Sequence, residues 1–177
     1  LVVEEPSVLD RLQEPVTCGV PLPRGFVIDP GELTLLQGEK PVPVEVRAVS
    51  RRPDSSLSWV HLDFQQSVKA GQSKRLRLEK GPRAQFESQL RVEESEDAVV
   101  VETGMIRARV ARGGFNVLDQ VRTVGGDGGY TGLAVMHHRA GIVAWQDSVP
   151  YRSSHDEDSE LVVESSGPMR VVLRSSG

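Results

Sequence analysis

Apolar residues recur at every second position through most of this chain. Val42, Val44 and Val46 alternate with Pro43, Glu45 and Arg47. Val60, Leu62 and Phe64 point one way on an extended backbone while Trp59, His61 and Asp63 point the other. Leu76 and Leu78 interleave with Arg75 and Arg77, and Ile106, Ala108 and Val110 with Met105, Arg107 and Arg109. Period-2 alternation is the mark of strands buried on one face, and a sustained 3.6-residue period is almost absent. The pattern predicts an all-β protein built from antiparallel sheets.

Turn signals divide these runs: Asp29-Pro30-Gly31, Gln37-Gly38, Pro53-Asp54-Ser55, Ala70-Gly71, Gly113-Gly114 and Gly125-Gly126-Asp127-Gly128-Gly129. Each supplies the residues that reverse a chain at low steric cost. Only Ser7–Gln13 and the stretch around Ala84–Gln89 have the composition to hold a helical turn. About six strands fall before Gly81, the spacing of a small barrel or sandwich. The polar stretch Gly81–Ser88 then marks a boundary, giving an N-terminal domain over 1–84 and a second β domain over 85–177.

The second domain carries an echo. Val100–Arg107 resembles Val162–Arg170, each reading as strand, glycine-containing turn and strand. Two copies are too few for a solenoid, and two hairpins obeying the same rules account for them. Met169–Leu173 reads as a core strand close to the last residue, so the second domain is expected to be an incomplete antiparallel sandwich.

Composition narrows the class further. The 177 residues are 38% hydrophobic and 26% charged, which suits folded domains rather than a disordered chain. A formal net charge of −4 gives no field to draw a polyanion, so neither nucleic acid nor an anionic membrane is expected as partner. Cys18 is the single cysteine, which excludes an internal disulfide and reads as an inert, buried thiol. No run is long enough for a membrane-spanning helix, and no basic-then-apolar leader is visible. The compartment stays open: secreted, periplasmic or cytoplasmic in a bacterium.

Three phrases carry a family likeness. The first is Gly19-Val20-Pro21-Leu22-Pro23-Arg24-Gly25, and the second is Asp54, Ser56, Trp59, Leu62, Asp63 and Phe64. The third is the Ala70-Gly71 turn with the strand closing at Leu76–Gly81. Together they resemble the N-terminal RIFT-barrel domain of the exo-rhamnogalacturonan lyase and YetA-like family. Ser55 stands where that family usually has glycine, and Arg52-Pro53 replaces an upstream tryptophan. Glu102-Thr103-Gly104 with Arg107, Gly113–Leu118 and Glu164–Arg170 resemble the start of the family's central β-sandwich. The resemblance implies a RIFT-type barrel followed by part of a sandwich. It also implies a C-terminal catalytic α/α-toroid domain as partner in the same protein, and a pectic oligosaccharide as ligand.

The residues themselves offer few chemical constellations. Elimination beside a uronate needs a base and a cation, and the four histidines form no arrangement that demands it. His137-His138 would place its two rings on opposite sides of a strand, so a structural or solvated role is expected. His155-Asp156-Glu157-Asp158 with Glu160 lacks the ligand spacing of a calcium loop and reads as a solvated acidic segment. The glycine run 125–129 lacks the lysine and helix of a phosphate loop and reads as a hairpin tip. No catalytic residue, metal site or cofactor is assigned.

Trp59, His61 and Asp63 share one strand face, where an aromatic ring beside hydrogen-bonding groups could take a sugar. A tryptophan in a small barrel more commonly supplies core volume, so burial of Trp59 is expected, with Asp63 bracing a turn. Trp145 and Tyr151 flank the loop-like Gln146–Pro150 and are further candidate surface contacts. Arg24 is expected to pair an acid or to grip a neighbouring domain. The reading is the non-catalytic N-terminal region of a bacterial carbohydrate-active protein, supporting a catalytic domain beyond Gly177. The alternatives are a stand-alone carbohydrate-binding module or a purely structural one.

Overall fold

A computed structural model describes residues 1–125, 129–135 and 141–177. It divides into two units, Leu1–Glu87 and Ser88–Gly177. Both are all-β, with antiparallel pairing throughout and helical structure confined, among the described residues, to two single 3-10 turns.

The first unit holds eight strands: β1 (Val2–Glu4), β2 (Arg11–Pro21), β3 (Leu33–Gln37), β4 (Lys40–Val42), β5 (Val44–Arg51), β6 (Leu57–Val68), β7 (Ser73–Arg75) and β8 (Arg77–Lys80). They make three ladders, ordered β2-β6-β5, β4-β3-β8 and β1-β7. These ladders do not close into the barrel expected from the sequence. Two interruptions explain the division. Pro43 has no N–H to donate, and it splits the run 40–51 into β4 of one sheet and β5 of another. Leu76 separates β7 from β8 and exchanges backbone hydrogen bonds with Leu1 instead, at 2.8 and 2.9 Å.

All three ladders nonetheless share apolar contacts. Leu33 and Leu35 of β3, Val44 and Val46 of β5, and Val60, Leu62 and Phe64 of β6 join Leu22, Val27, Leu57 and Leu76 in one cluster. Val3, Val16, Cys18 and Val20 pack against it from β1 and β2. Cys18 is half-buried, and burial pushes its thiol up, which disfavours the reactive thiolate.

Turn chemistry behaves as the sequence predicts at several places. Asp29-Pro30-Gly31 opens a 3-10 turn over Pro30–Glu32 with a reciprocal capping box: Gly31 N–H donates to Asp29 Oδ1 at 2.7 Å and Asp29 N–H to Glu32 Oε1 at 3.2 Å. Gly38, at φ +62°, turns β3 into β4. Neither expected helical turn forms. Residues 7–9 are a bend that leads into β2 at Arg11, and 84–89 carry no regular structure.

The second unit begins with a five-stranded meander, β9 (Arg91–Glu94), β10 (Ala98–Glu102), β11 (Ile106–Ala111), β12 (Gln120–Val124) and β13 (Tyr130–Val135), in the order β13-β12-β11-β10-β9. Two hairpins follow, β14 (Val143–Gln146) with β15 (Val149–Arg152), and β16 (Glu160–Ser166) with β17 (Val171–Ser176). Val99 and Val110 from the sheet meet Leu161 from β16, flanked by Val101, Val163 and Leu173. The hairpin therefore covers one sheet face, which gives a sandwich-like unit with a small core. The two echoing segments are the separate hairpins β10-β11 and β16-β17.

Candidate functional site

The sheet β2-β6-β5 positions the sequence candidates of the first unit. In β6, Val60, Leu62 and Phe64 take the core face, so parity sends Trp59, His61 and Asp63 outward. Register then fixes their neighbours. Trp59 lies between Pro21 and Ser50, His61 between Gly19 and Arg47, and Asp63 between Thr17 and Glu45.

Trp59 is 47% exposed, so the expectation that it fills the core is wrong. The core volume comes from the leucines and valines of alternate parity, which leaves no inward position for the ring. Gly19 supports this arrangement. A Cβ built there would meet Trp59 Cε3 and Cζ3 and His61 Cδ2, each at 3.7 Å, so both rings reach over the glycine backbone. The result is an aromatic surface on a central strand, held by paired neighbours on both sides.

Asp63 behaves differently from the other two. It is 4% exposed and accepts from Thr17 Oγ1 at 2.5 Å and from Arg47 Nη2 at 3.2 Å. Arg47 Nε also stands 3.8 Å from the buried Glu45 carboxylate. Asp63 thus braces three strands from mid-strand, rather than a turn as the sequence suggested. Arg47 is one-third exposed beside His61 and offers the cationic donor of this surface. Sequence reasoning did not place Arg47 or Gly19 beside Trp59 and His61. Cross-strand register was the missing information, since neither lies near Trp59 along the chain.

The phrases around Arg24 and Asp54 meet at one end of this sheet. Arg24 Nε donates to Asp54 Oδ2 at 3.0 Å, which settles Arg24 as an acid's partner. Ser56 donates to Asp54 Oδ1 from its hydroxyl at 2.6 Å and from its backbone N–H at 3.1 Å. The Ser56 hydroxyl, then Arg24, hold the Asp54 carboxyl down at about 2. Arg52 adds a second clasp, donating to the carbonyls of Leu22 at 2.6 Å and Leu57 at 2.7 Å.

In the second unit, Trp145 and Tyr151 are 67% and 58% exposed on the hairpin β14-β15. Trp145 pairs with Pro150 and Tyr151 with Ala144, so adjacent register places the two rings on opposite faces. Tyr151 lines an open groove of about 670 Å³ with Phe115, Ile142, Ser153 and His155. Ser153 is engaged there, donating to the Phe115 carbonyl at 2.7 Å.

The acidic run follows the 3-10 turn Ser153–His155, and Asp158 N–H donates to Asp156 Oδ1 at 3.2 Å. Among the described residues no three His, Cys, Asp or Glu side chains converge as metal ligands would. Likewise no helix of the described residues is long and apolar enough to cross a membrane. His137 and His138 lie outside the described residues, as do Gly126, Asp127 and Gly128; Gly125 and Gly129 beside the latter join through a 2.6 Å backbone hydrogen bond.

A scan against protein-family models finds no match for this chain, and no curated protein matches it.

Proposed function

We propose that this chain is the non-catalytic front region of a bacterial carbohydrate-active protein resembling the exo-rhamnogalacturonan lyases, and that it contacts pectic glycan through the Trp59 surface. The observation that carries the reading is the half-exposed Trp59 ring over Gly19. An open aromatic face suits the apolar face of a sugar, and His61 and Arg47 supply polar groups along the same sheet. The phrases that carry the family likeness also support it, since Arg24 joins Asp54 and Pro21 flanks Trp59. A purely structural module would use its tryptophans as core, and Trp59 and Trp145 are both surface residues.

Energetics set the expected size. Covering roughly 100 Å² of exposed indole contributes ~2.5 kcal/mol at ~25 cal/mol per Å². Loss of the ring then weakens binding by about tenfold or more. The test incubates the chain with methyl-esterified rhamnogalacturonan oligosaccharides, following binding by calorimetry and cleavage by ultraviolet absorbance of an unsaturated uronate. Binding without absorbance, lost in Trp59→Ala at an unchanged melting temperature, is the expected result. Absorbance from this chain, or full affinity in the variant, would overturn the reading.

A further inference from the structure

The outward face of the five-stranded sheet carries a row of charged residues in register: Arg91, Glu102, Arg107 and Arg122. The first three alternate in sign, as cross-strand neighbours do when they stabilise a sheet. The last pair breaks the rule, because Arg107 and Arg122 are directly opposite each other. Like charges at opposed positions destabilise a ladder unless other charges offset them.

Neighbouring carboxylates offset Arg107 and Arg109 but, among the described residues, not Arg122. Arg107 reaches Glu102 at 3.3 Å and Glu93 at 3.4 Å, and Arg109 reaches Asp119 at 3.0 Å. Arg122 has no carboxylate within 4.0 Å among the described residues and is exposed. The three guanidinium groups line a recess of about 310 Å³ with Val100, Gln120 and Tyr130. That volume sits at the lower end of small-ligand pockets, roughly 300–1,000 Å³. Gln120 and Tyr130 add uncharged hydrogen-bonding groups and Val100 an apolar floor.

We propose that this recess binds an oxyanion between Arg107 and Arg122. The planar fork of a guanidinium matches a carboxylate, sulfate or phosphate through paired hydrogen bonds. Glu93 and Glu102 hold Arg107 in place from two sides, and Arg122 supplies a charge with no carboxylate beside it among the described residues. An anion placed between them turns the repulsive pair into a clamp. The site belongs to the second unit and does not depend on the Trp59 surface. Its ligand is either the carboxylate of an acidic glycan or a free inorganic oxyanion.

The experiment titrates the chain with trigalacturonate, with its methyl ester, and with sulfate and phosphate, by calorimetry at low salt. Arg122→Gln is expected to lose at least tenfold in anion affinity while the ligand-free protein melts no lower, because the repulsion has gone. Arg122→Lys keeps the charge without the fork and should fall between the two. Trigalacturonate binding with an inactive ester identifies a glycan carboxylate, and binding of sulfate or phosphate alone identifies a free oxyanion. Retention of this binding in Trp59→Ala separates it from the first-unit surface. No anion binding, or unchanged affinity in Arg122→Gln, overturns the proposal.

Discussion

Arg24 Nε lies 3.0 Å from Asp54 Oδ2, joining the segment after β2 to the turn before β6. The same carboxylate accepts twice from Ser56, so one side chain fixes the turn and ties it across the chain. Its folded value of about 2 lies below the ordinary 3.8. A depressed carboxylate stabilises the fold above its unfolded value and loses that contribution as pH falls through its folded one. Asp54→Asn should therefore melt below the parent at neutral pH, with the gap closing between pH 3.8 and about 2. Melting curves of both proteins across that range check this; a gap that stays constant would sink the assignment.

Ser55 beside it adopts φ +64°, a left-handed conformation that costs a side-chain-bearing residue roughly 1–2 kcal/mol. Glycine relieves that strain and gives back part of the gain as entropy in the unfolded chain. Ser55→Gly is expected to stabilise the protein by up to about 1 kcal/mol, read from the urea midpoint. A loss of stability would contradict it.

Leu62 is fully buried, between Cys18 and Val46 in the ladder. Truncation to alanine removes apolar contact and leaves a cavity, with an expected cost of ~2–5 kcal/mol. Trp59→Ala on the opposite face should cost far less, since half the ring is already in water. Urea titrations of the two variants rank the two faces; equal losses would mean that Trp59 is structural.

Gly19 offers a graded test of the aromatic surface. A methyl group there sits at ordinary van der Waals distance from both rings, so Gly19→Ala should leave the tryptophan emission spectrum unchanged. Gly19→Leu must displace the Trp59 ring and shift its emission. An unaltered spectrum in the leucine variant would show that the rings do not lie over this backbone.

Alternation was enough to read the strands and to place Leu62 and Val60 inside, because parity along β6 is unbroken by any turn residue. The same parity put Trp59 outside, and the preference of tryptophan for cores was the weaker guide. Ser7–Gln13 has the composition for a helical turn, yet its apolar residues Val8, Leu9 and Leu12 are all exposed, so no packing holds a turn there. Val42, Val44 and Val46 read as one alternating strand, and nothing in that pattern marks Pro43 as the point where the run passes between two sheets. Arg47 beside His61 and Arg107 opposite Arg122 are consequences of register. Register depends on bulges such as that between Ala48 and Ser50, which leave no local signature.

The first unit pairs its earliest strand with one of its latest, Val2 against Arg75, and β2 with β6. A ribosome delivers these partners far apart in time. While β1 to β5 emerge, β2 and β5 have no β6 to pair with. Folding of this unit must therefore wait for the segment through Lys80 and then proceed as one late, cooperative event. Its nascent strands are the stretch where chaperone contact or misassembly would concentrate.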